Sequence, residues 1–423
     1  MSTALLLFGT FAVLLILGVP IAFSLGAASM ITMVIELKVN LSTIAQSVFN
    51  GMNTTALLSI PFFILAGNIM GKGGISKQIV IFCNSLVGNI RGGVSVALVL
   101  ACTFFAALSG SGPATVVSVG MVMYKIMVDM GYPPARVAGL LSVSGGLGPI
   151  IPPSIIMVVY ATLTGTSISS MFKVGLVCGI YTTAALIIMV FVFAHREQWP
   201  IDHGHMTLKQ LGVSFVRALP ALILPVIILG GIYSGITTAV EVSSVAVVYA
   251  LVVSFTVYKD LRLRDLPGII KDSAKSSAMV LFIVGTSTVF TWVFTFSGLS
   301  KSVVALTAAI GLGKTVFLAV TMILTLIFGL FMEGTSICLL FVPVLWPVAQ
   351  NFGISALQFG IIISMGIVVG TMTPPVAVNL FSAVSVSKLS LGEVTKGQMP
   401  FFITFLIIYM IMVFCPMLYL WVV

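Results

Sequence analysis

Four short stretches of the chain interrupt long apolar runs with glycine, proline and hydroxyl residues. They read Ser109-Gly-Ser-Gly-Pro-Ala-Thr115, Gly148-Pro-Ile-Ile-Pro-Pro-Ser154, Glu333-Gly-Thr-Ser336 and Gly370-Thr-Met-Thr-Pro-Pro375. Glycine and proline end helices, so each stretch predicts a helix terminus in mid-run. A terminated helix leaves carbonyl oxygens unpaired at its C-terminal end and N–H groups unpaired at its N-terminal end. Carbonyls joined by Ser and Thr hydroxyls suit a small hard cation, and unpaired N–H groups suit a carboxylate. The expected cation is Na⁺. Its candidate ligands are Ser109, Gly110, Ser111, Gly145 and Gly148 in one group, and Gly334, Thr335, Gly370, Thr371 and Thr373 in another. For an organic anion held between two such sites the candidates are Thr115, Glu333, Ser336 and Asn379. Taken singly, the same residues would equally serve as hinges or as small-residue helix contacts.

Two carboxylates, Glu241 and Glu333, fall in apolar surroundings. An ionisable group inside a membrane is a functional candidate by default. Glu333 adjoins one of the breaks and could shape the anion or the cation site. Glu241 follows Thr237-Thr238 near an expected helix start, where helix-terminus electrostatics would account for it. The three histidines, His195, His203 and His205, fall in a polar stretch outside the apolar runs. His203-Gly-His205 is a weak metal motif in what reads as a solvated loop. With no histidine inside an apolar run, no nucleophile–base pair or metal cluster is in prospect there, and no enzyme is expected.

The surroundings of the breaks set the solvent. Of 423 residues, 59% are apolar and 7% charged, with a mean hydropathy of +1.24. A soluble domain carries roughly 25% charged residues. Apolar runs of membrane-spanning length recur along the chain, so the solvent is lipid. The net charge of +9 comes from 19 scattered basic residues, with no basic–aromatic groove, so nucleic acid is excluded as a partner. Loop lysines and arginines obeying the positive-inside rule account for it. Five cysteines stand singly in apolar segments without metal spacing. The first apolar stretch, from Ala4, is too long for the core of a signal peptide and lacks a basic n-region, so it reads as a retained membrane segment. Its Gly18-Val19-Pro20 interruption leaves open whether it crosses once or turns back.

Two polar stretches, 195–217 and 258–277, punctuate the chain, the second with Lys259, Arg262, Arg264, Lys271 and Lys275. Two apolar spans separate them, so both are expected as loops on the cytoplasmic side. The breaks themselves repeat. Gly112 to Pro152 is 40 residues, as is Gly334 to Pro374; Gly131 to Gly148 and Gly353 to Gly370 are both 17. The halves thus superimpose at an offset of 222, and Gly74-Ile-Ser-Lys77 matches Gly298-Leu-Ser-Lys301 at 224. Residues 76–91 are too short and polar to span, and Ile79, Phe82, Leu86 and Ile90 recur at helical spacing, which predicts an interfacial amphipathic helix. Residues 301–311 are its equivalent.

The expected fold is an all-α polytopic membrane protein with a first repeat over 1–193, a linker over 194–217 and a second repeat over 218–423. Each repeat holds a re-entrant helical hairpin (94–129 and about 314–350) and a broken transmembrane helix (134–166 and 354–387). Five crossings between matched points, an odd number, would invert one repeat relative to the other, a pattern of secondary transporters.

These motifs, with Leu57-Leu-Ser-Ile-Pro-Phe-Phe-Ile-Leu-Ala-Gly67 and Gly230-Gly-Ile-Tyr-Ser-Gly235 followed by Glu241, resemble the large membrane (M) subunit of tripartite ATP-independent periplasmic (TRAP) transporters, of the DctM and SiaM kind. The resemblance covers essentially the whole chain. It departs where the family's Thr-Pro-Thr-Glu-Ala reads Thr237-Thr-Ala-Val-Glu-Val242. The resemblance implies import of an organic acid, of the C4-dicarboxylate or sialic acid class, driven by Na⁺ through an elevator motion. It also implies two partners, a small membrane Q subunit and a periplasmic substrate-binding protein, and a place in the bacterial inner membrane. The alternatives are a sodium/organic-anion symporter of similar architecture that works without a binding protein, and a channel.

Overall fold

The computed structural model describes residues 3–72, 74–87, 90–201, 208–309, 311, 313–375 and 377–423. Among them the chain forms helices and turns and no strands. The N-terminal helices are α1 (Thr3–Ile16), α2 (Ile21–Ile35) and α3 (Leu41–Met52). Next come α4 (Ser59–Lys72), the short α5 (Ile75–Val87), α6 (Gly93–Ser109), α7 (Gly112–Asp129), α8 (Pro134–Gly145), α9 (Ile155–Thr164) and the long α10 (Ile168–Arg196). The second half holds α11 (Leu208–Tyr233), α12 (Ala239–Val252), α13 (Leu266–Phe296), α14 (Leu299–Ala309), α15 (Lys314–Gly329), α16 (Gly334–Asn351), α17 (Ala356–Gly370), α18 (Val378–Ser387) and α19 (Leu391–Phe414).

Among the described residues seven helices are long and apolar enough to cross a bilayer. They lie at Thr55–Lys72, Ile168–Arg196, Lys209–Tyr233, Ala239–Val257, Leu263–Phe296, Gly334–Asn351 and Leu391–Phe414. The protein is therefore a multi-pass membrane protein. Helix bounds recur at the offset read from the breaks: α7 and α16 start and stop 222 residues apart, as α8 and α17 start. Gly131 and Gly353, 222 apart, both have positive φ, and so end their helices in a conformation glycine takes without penalty.

Three sequence expectations are corrected. The stretch 258–277 is not a loop throughout, because α13 begins at Leu266 and carries Lys271 and Lys275 on a helix that runs on into the apolar layer. A long helix emerging from lipid is polar at its end, and its sequence there reads like a loop. The amphipathic helix ends at Val87, short of Ile90, and Leu86 is exposed; its buried face is Ile75, Ile79, Val80, Phe82 and Cys83. That face meets α11, where the Ser85 and Ser214 hydroxyls pair at 2.7 Å and the Phe82 and Phe215 rings lie 5.6 Å apart. The polar stretch 195–217 is likewise shorter as a loop, since α10 runs to Arg196 and α11 starts at Leu208.

At Gly18 (φ +79°) the chain turns back. Phe8 and Phe11 of α1 meet Phe290 of α13, and Phe23 of α2 meets Phe282 one helical stretch earlier. Glu241 belongs to a capping box: Thr238 N–H donates to its Oε2 at 2.8 Å, and Glu241 N–H donates to Thr238 Oγ1 at 3.3 Å. It serves the start of α12 and stands on the exposed surface.

Candidate functional site

Each break is built from local backbone chemistry. α6 ends at Gly110, which has φ +59° and would place a Cβ 2.6 Å from the Pro153 carbonyl oxygen, so only glycine fits. Behind it Ser111 is extended, and α7 starts at Gly112 with Pro113 in its first turn, a favoured place for proline. Ser111 makes no side-chain cap, so the first N–H groups of α7 have no side-chain acceptor at that position. The other two hydroxyls of this tip tie it together. Ser109 Oγ pairs with Thr115 Oγ1 at 3.0 Å, and Thr115 Oγ1 donates to the Ser111 carbonyl at 2.8 Å.

The tip of the second half differs. Glu333, at the position 222 residues after Ser111, caps α16 by accepting from Thr335 N–H (3.0 Å), Thr335 Oγ1 (3.0 Å) and Ser336 N–H (3.3 Å). Its negative charge sits on the positive end of the helix dipole. The N-terminus of α16 is thereby occupied, whereas that of α7 is open.

The breaks after α8 and α17 lie directly behind these tips. A Cβ on Gly148 would come within 2.6 Å of the Ser111 backbone, and one on Gly145 within 3.1 Å of the Gly112 oxygen. In the second half Gly370 stacks on Gly329 at the end of α15, with 2.6 Å between a Cβ there and the Gly329 Cα. Thr371 and Thr373 return their hydroxyls to the last carbonyls of α17, at Val368 (2.8 Å) and Val369 (2.7 Å). At the start of α18 stands Asn379, 1% exposed, with neither Oδ1 nor Nδ2 partnered. It lies against the other half, because a Cβ on Gly112 would fall 2.6 Å from its Oδ1.

These parts enclose a cavity of about 280 Å³, near the low end of the ~300–1,000 Å³ typical of small-molecule sites. Ser109, Gly110, Ser111, Glu333, Gly334, Thr335, Thr371 and Asn379 line it. Thr115, Gly145, Gly148, Ser336, Gly370 and Thr373 do not; Gly145 and Gly148 lie behind it, against the backbone of Ser111 and Gly112. Glu333 is the one ionisable side chain among the described lining residues.

The opposite wall belongs to α4 and α13, through Gly67, Asn68 and Ser276. Sequence reasoning on chemistry missed all three. Asn68 Nδ2 donates to Ser273 Oγ at 2.8 Å, and Lys72 lies 3.9 Å from Asp272, so the two helices are fastened side by side. A polar residue in an apolar span, as Asn68 is, was the available signal. Gly67 and Gly71 form a small-xxx-small pair, and a Cβ on Gly67 would sit 3.3 Å from Ser109 Cα, which lets α4 approach the tip closely. Among the described residues no group of three His, Cys, Asp or Glu could hold a metal; His203 and His205 lie outside the described residues.

Residues 8–418 match the family model described as "Tripartite ATP-independent periplasmic transporter, DctM component". The chain belongs to the DctM family. Relatives of this DctM-family chain include a "C4-dicarboxylate TRAP transporter large permease protein DctM" of Pseudomonas aeruginosa, 38% identical over 93% of this chain and 92% of that one. A "Sialic acid TRAP transporter large permease protein SiaM" of Vibrio cholerae is 31% identical, again over 93% and 92%. Among solved structures, the Alcanivorax borkumensis YdaH transporter superimposes with a TM-score of 0.63 over 88% of this chain and 86% of that one. At 14% identity that likeness concerns the fold alone. The DctM-family chain is thus a TRAP large permease with a membrane-transporter fold.

Proposed function

We propose that this permease imports an organic anion into the bacterial cell with Na⁺, its hairpins and broken helices carrying the anion past α4 and α13 in an elevator motion. The observation that carries this reading is the Asn379 carboxamide. Burying a donor and an acceptor without partners costs about 1–3 kcal/mol, and here both belong to a residue that lines the cavity and packs on Gly112 at the open N-terminus of α7. A carboxylate in the cavity beside the start of α7 would meet unpaired N–H groups there and, with a turn of the Asn379 side chain, the carboxamide NH₂. The α16 terminus is the wrong place for it, since Glu333 already fills that position. A substrate hydroxyl or amine is the fitting group for that end, as a donor to the carboxylate.

With no cationic side chain among the described residues of the cavity wall, the anion's charge is best offset by Na⁺ at the helix C-terminal carbonyls behind the two tips, with Ser109, Ser111, Thr371 and their neighbours as ligands. Two Na⁺ with a monoanion carry one net charge inward, worth roughly 2.3 kcal/mol per 100 mV. The substrate class is that of the relatives, a C4-dicarboxylate or a sialic-acid-like sugar acid. The word "tripartite" in the family's description supports two partners for this chain: a small membrane Q subunit and a periplasmic binding protein. The offset of 222 between helix bounds supports two repeats, 1–193 and 218–423; an odd number of crossings between matched points would invert one relative to the other.

The test is uptake of labelled succinate and sialic acid into proteoliposomes holding this chain and its partner proteins, with and without an inward Na⁺ gradient. Sodium-driven uptake that Asn379→Ala and Ser111→Ala reduce tenfold or more is expected. Uptake indifferent to Na⁺ would overturn the coupling. Equal uptake by this chain alone would mean a symporter that needs no binding protein.

A further inference from the structure

The second break is held from outside by a residue that neither the tips nor the broken helix supplies. Gln398 of α19 is fully buried, and its Nε2 donates to the Met372 carbonyl at 2.9 Å, in the turn between Thr371 and Thr373. Its backbone is fixed where α8 and α19 cross. A Cβ on Gly139 would come within 2.6 Å of Gln398 Cα, and Gly397 has no room for one against Ala135. With the Cα so confined, the side chain has little choice of direction. Next to the bonded carbonyl, Asn379 N–H donates to the Thr371 oxygen at 3.1 Å. The carbonyl beyond α17 and the residue carrying the unpartnered carboxamide are therefore braced together.

The first half lacks this brace. The residue 222 places before Gln398 is Leu176, which has no donor, although its neighbour Gly175 packs on the Ile150 carbonyl much as α19 packs on Met372. Leucine, partly buried there, shows that the repeat does not require a donor at this place in the fold. Gln398, moreover, leaves its own Oε1 unpaired while fully buried, which a residue kept for packing would not do.

We propose that Gln398 is a positioning residue for the second break: by holding the Met372 carbonyl it presets Thr371 and Asn379 for cation and anion, touching neither. The idea rests on the reading of this cavity as the transport site.

Hydrogen exchange in the peptide covering 367–380 tests it, on the purified full chain in lipid nanodiscs, across a series of NaCl concentrations. Gln398→Leu exchanges one unpaired buried oxygen for another, so its melting temperature is expected within a few degrees of wild type. Its second break should exchange faster without Na⁺, and the NaCl midpoint for protection should rise roughly three- to tenfold, as the loss of one buried hydrogen bond implies. Gln398→Asn, one methylene too short to reach Met372, should behave likewise. The peptide over the first tip should be unchanged in both. Unaltered exchange over 367–380 in both variants, or equal acceleration in both breaks, would overturn the proposal. If wild type shows no protection by Na⁺, the cation reading fails, and the Na⁺-free exchange rates still decide whether Gln398 positions the break.

Discussion

At the scale of single residues, the site rests on groups whose bonding is incomplete. Asn379 keeps both carboxamide atoms unpartnered in a buried position, and the physical consequence has a definite sign. Asn379→Leu removes two unpaired polar atoms and keeps similar bulk, so the protein without substrate should melt no lower than wild type, while uptake should be lost. A thermal melt beside an uptake assay checks this; a fall in melting temperature would mean Asn379 is structural. Gly110 is the opposite case. Its positive φ and its contact with the Pro153 oxygen leave no room for a side chain. Gly110→Ala should therefore cost about 1–2 kcal/mol from backbone strain, with the clash added, and both stability and uptake should fall together.

At the scale of elements, the prediction concerns Glu241. Its capping box starts α12, and losing such a cap costs about 1 kcal/mol. Glu241→Ala should lower the melting temperature by about a degree and leave the Na⁺ and substrate dependence of uptake unchanged. Altered substrate affinity would show that the carboxylate does more than cap. Here the sequence was informative, since Thr238 and Glu241 three residues apart mark a helix start on their own. The breaks were legible for the same reason: glycine and proline act locally, so the ends of α7, α8, α16 and α17 could be placed within a few residues. Less was legible where polarity has two meanings. The polar residues 266–277 read as a loop but belong to a helix leaving the lipid, and Leu86, at helical spacing from Ile79 and Phe82, is exposed. What no local rule could show was which distant residues meet. Asn68 reaches Ser273, 205 positions away, and Asn379 reaches Gly112; these pairings follow from the packing of whole helices.

At the scale of the molecule, α4 and α13 form one wall of the cavity and the tips form the other. An elevator motion requires these walls to slide past each other, so joining them should stop transport. Asn68→Cys with Ala114→Cys, in a Cys415→Ser background that removes the exposed native thiol, places one thiol on each wall. A short bifunctional thiol reagent should abolish uptake and leave the single variants active. Undiminished uptake by the cross-linked protein would exclude relative sliding at this point. The two walls differ in kind as well. On the wall formed by the tips the open start of α7 comes from the first half of the chain and the carboxamide that packs on it from the second, while the acid that blocks α16 has serine as its counterpart at Ser111. Neither half therefore holds a complete receptor, and the likeness of the halves conceals a division of labour. On the proposed reading, a polypeptide of half this length could bind such a cargo only as a pair of identical copies, with two equal ends where this chain has one open and one filled by Glu333. A single chain, unlike a pair of identical copies, can carry an acid at one end and a serine at the other.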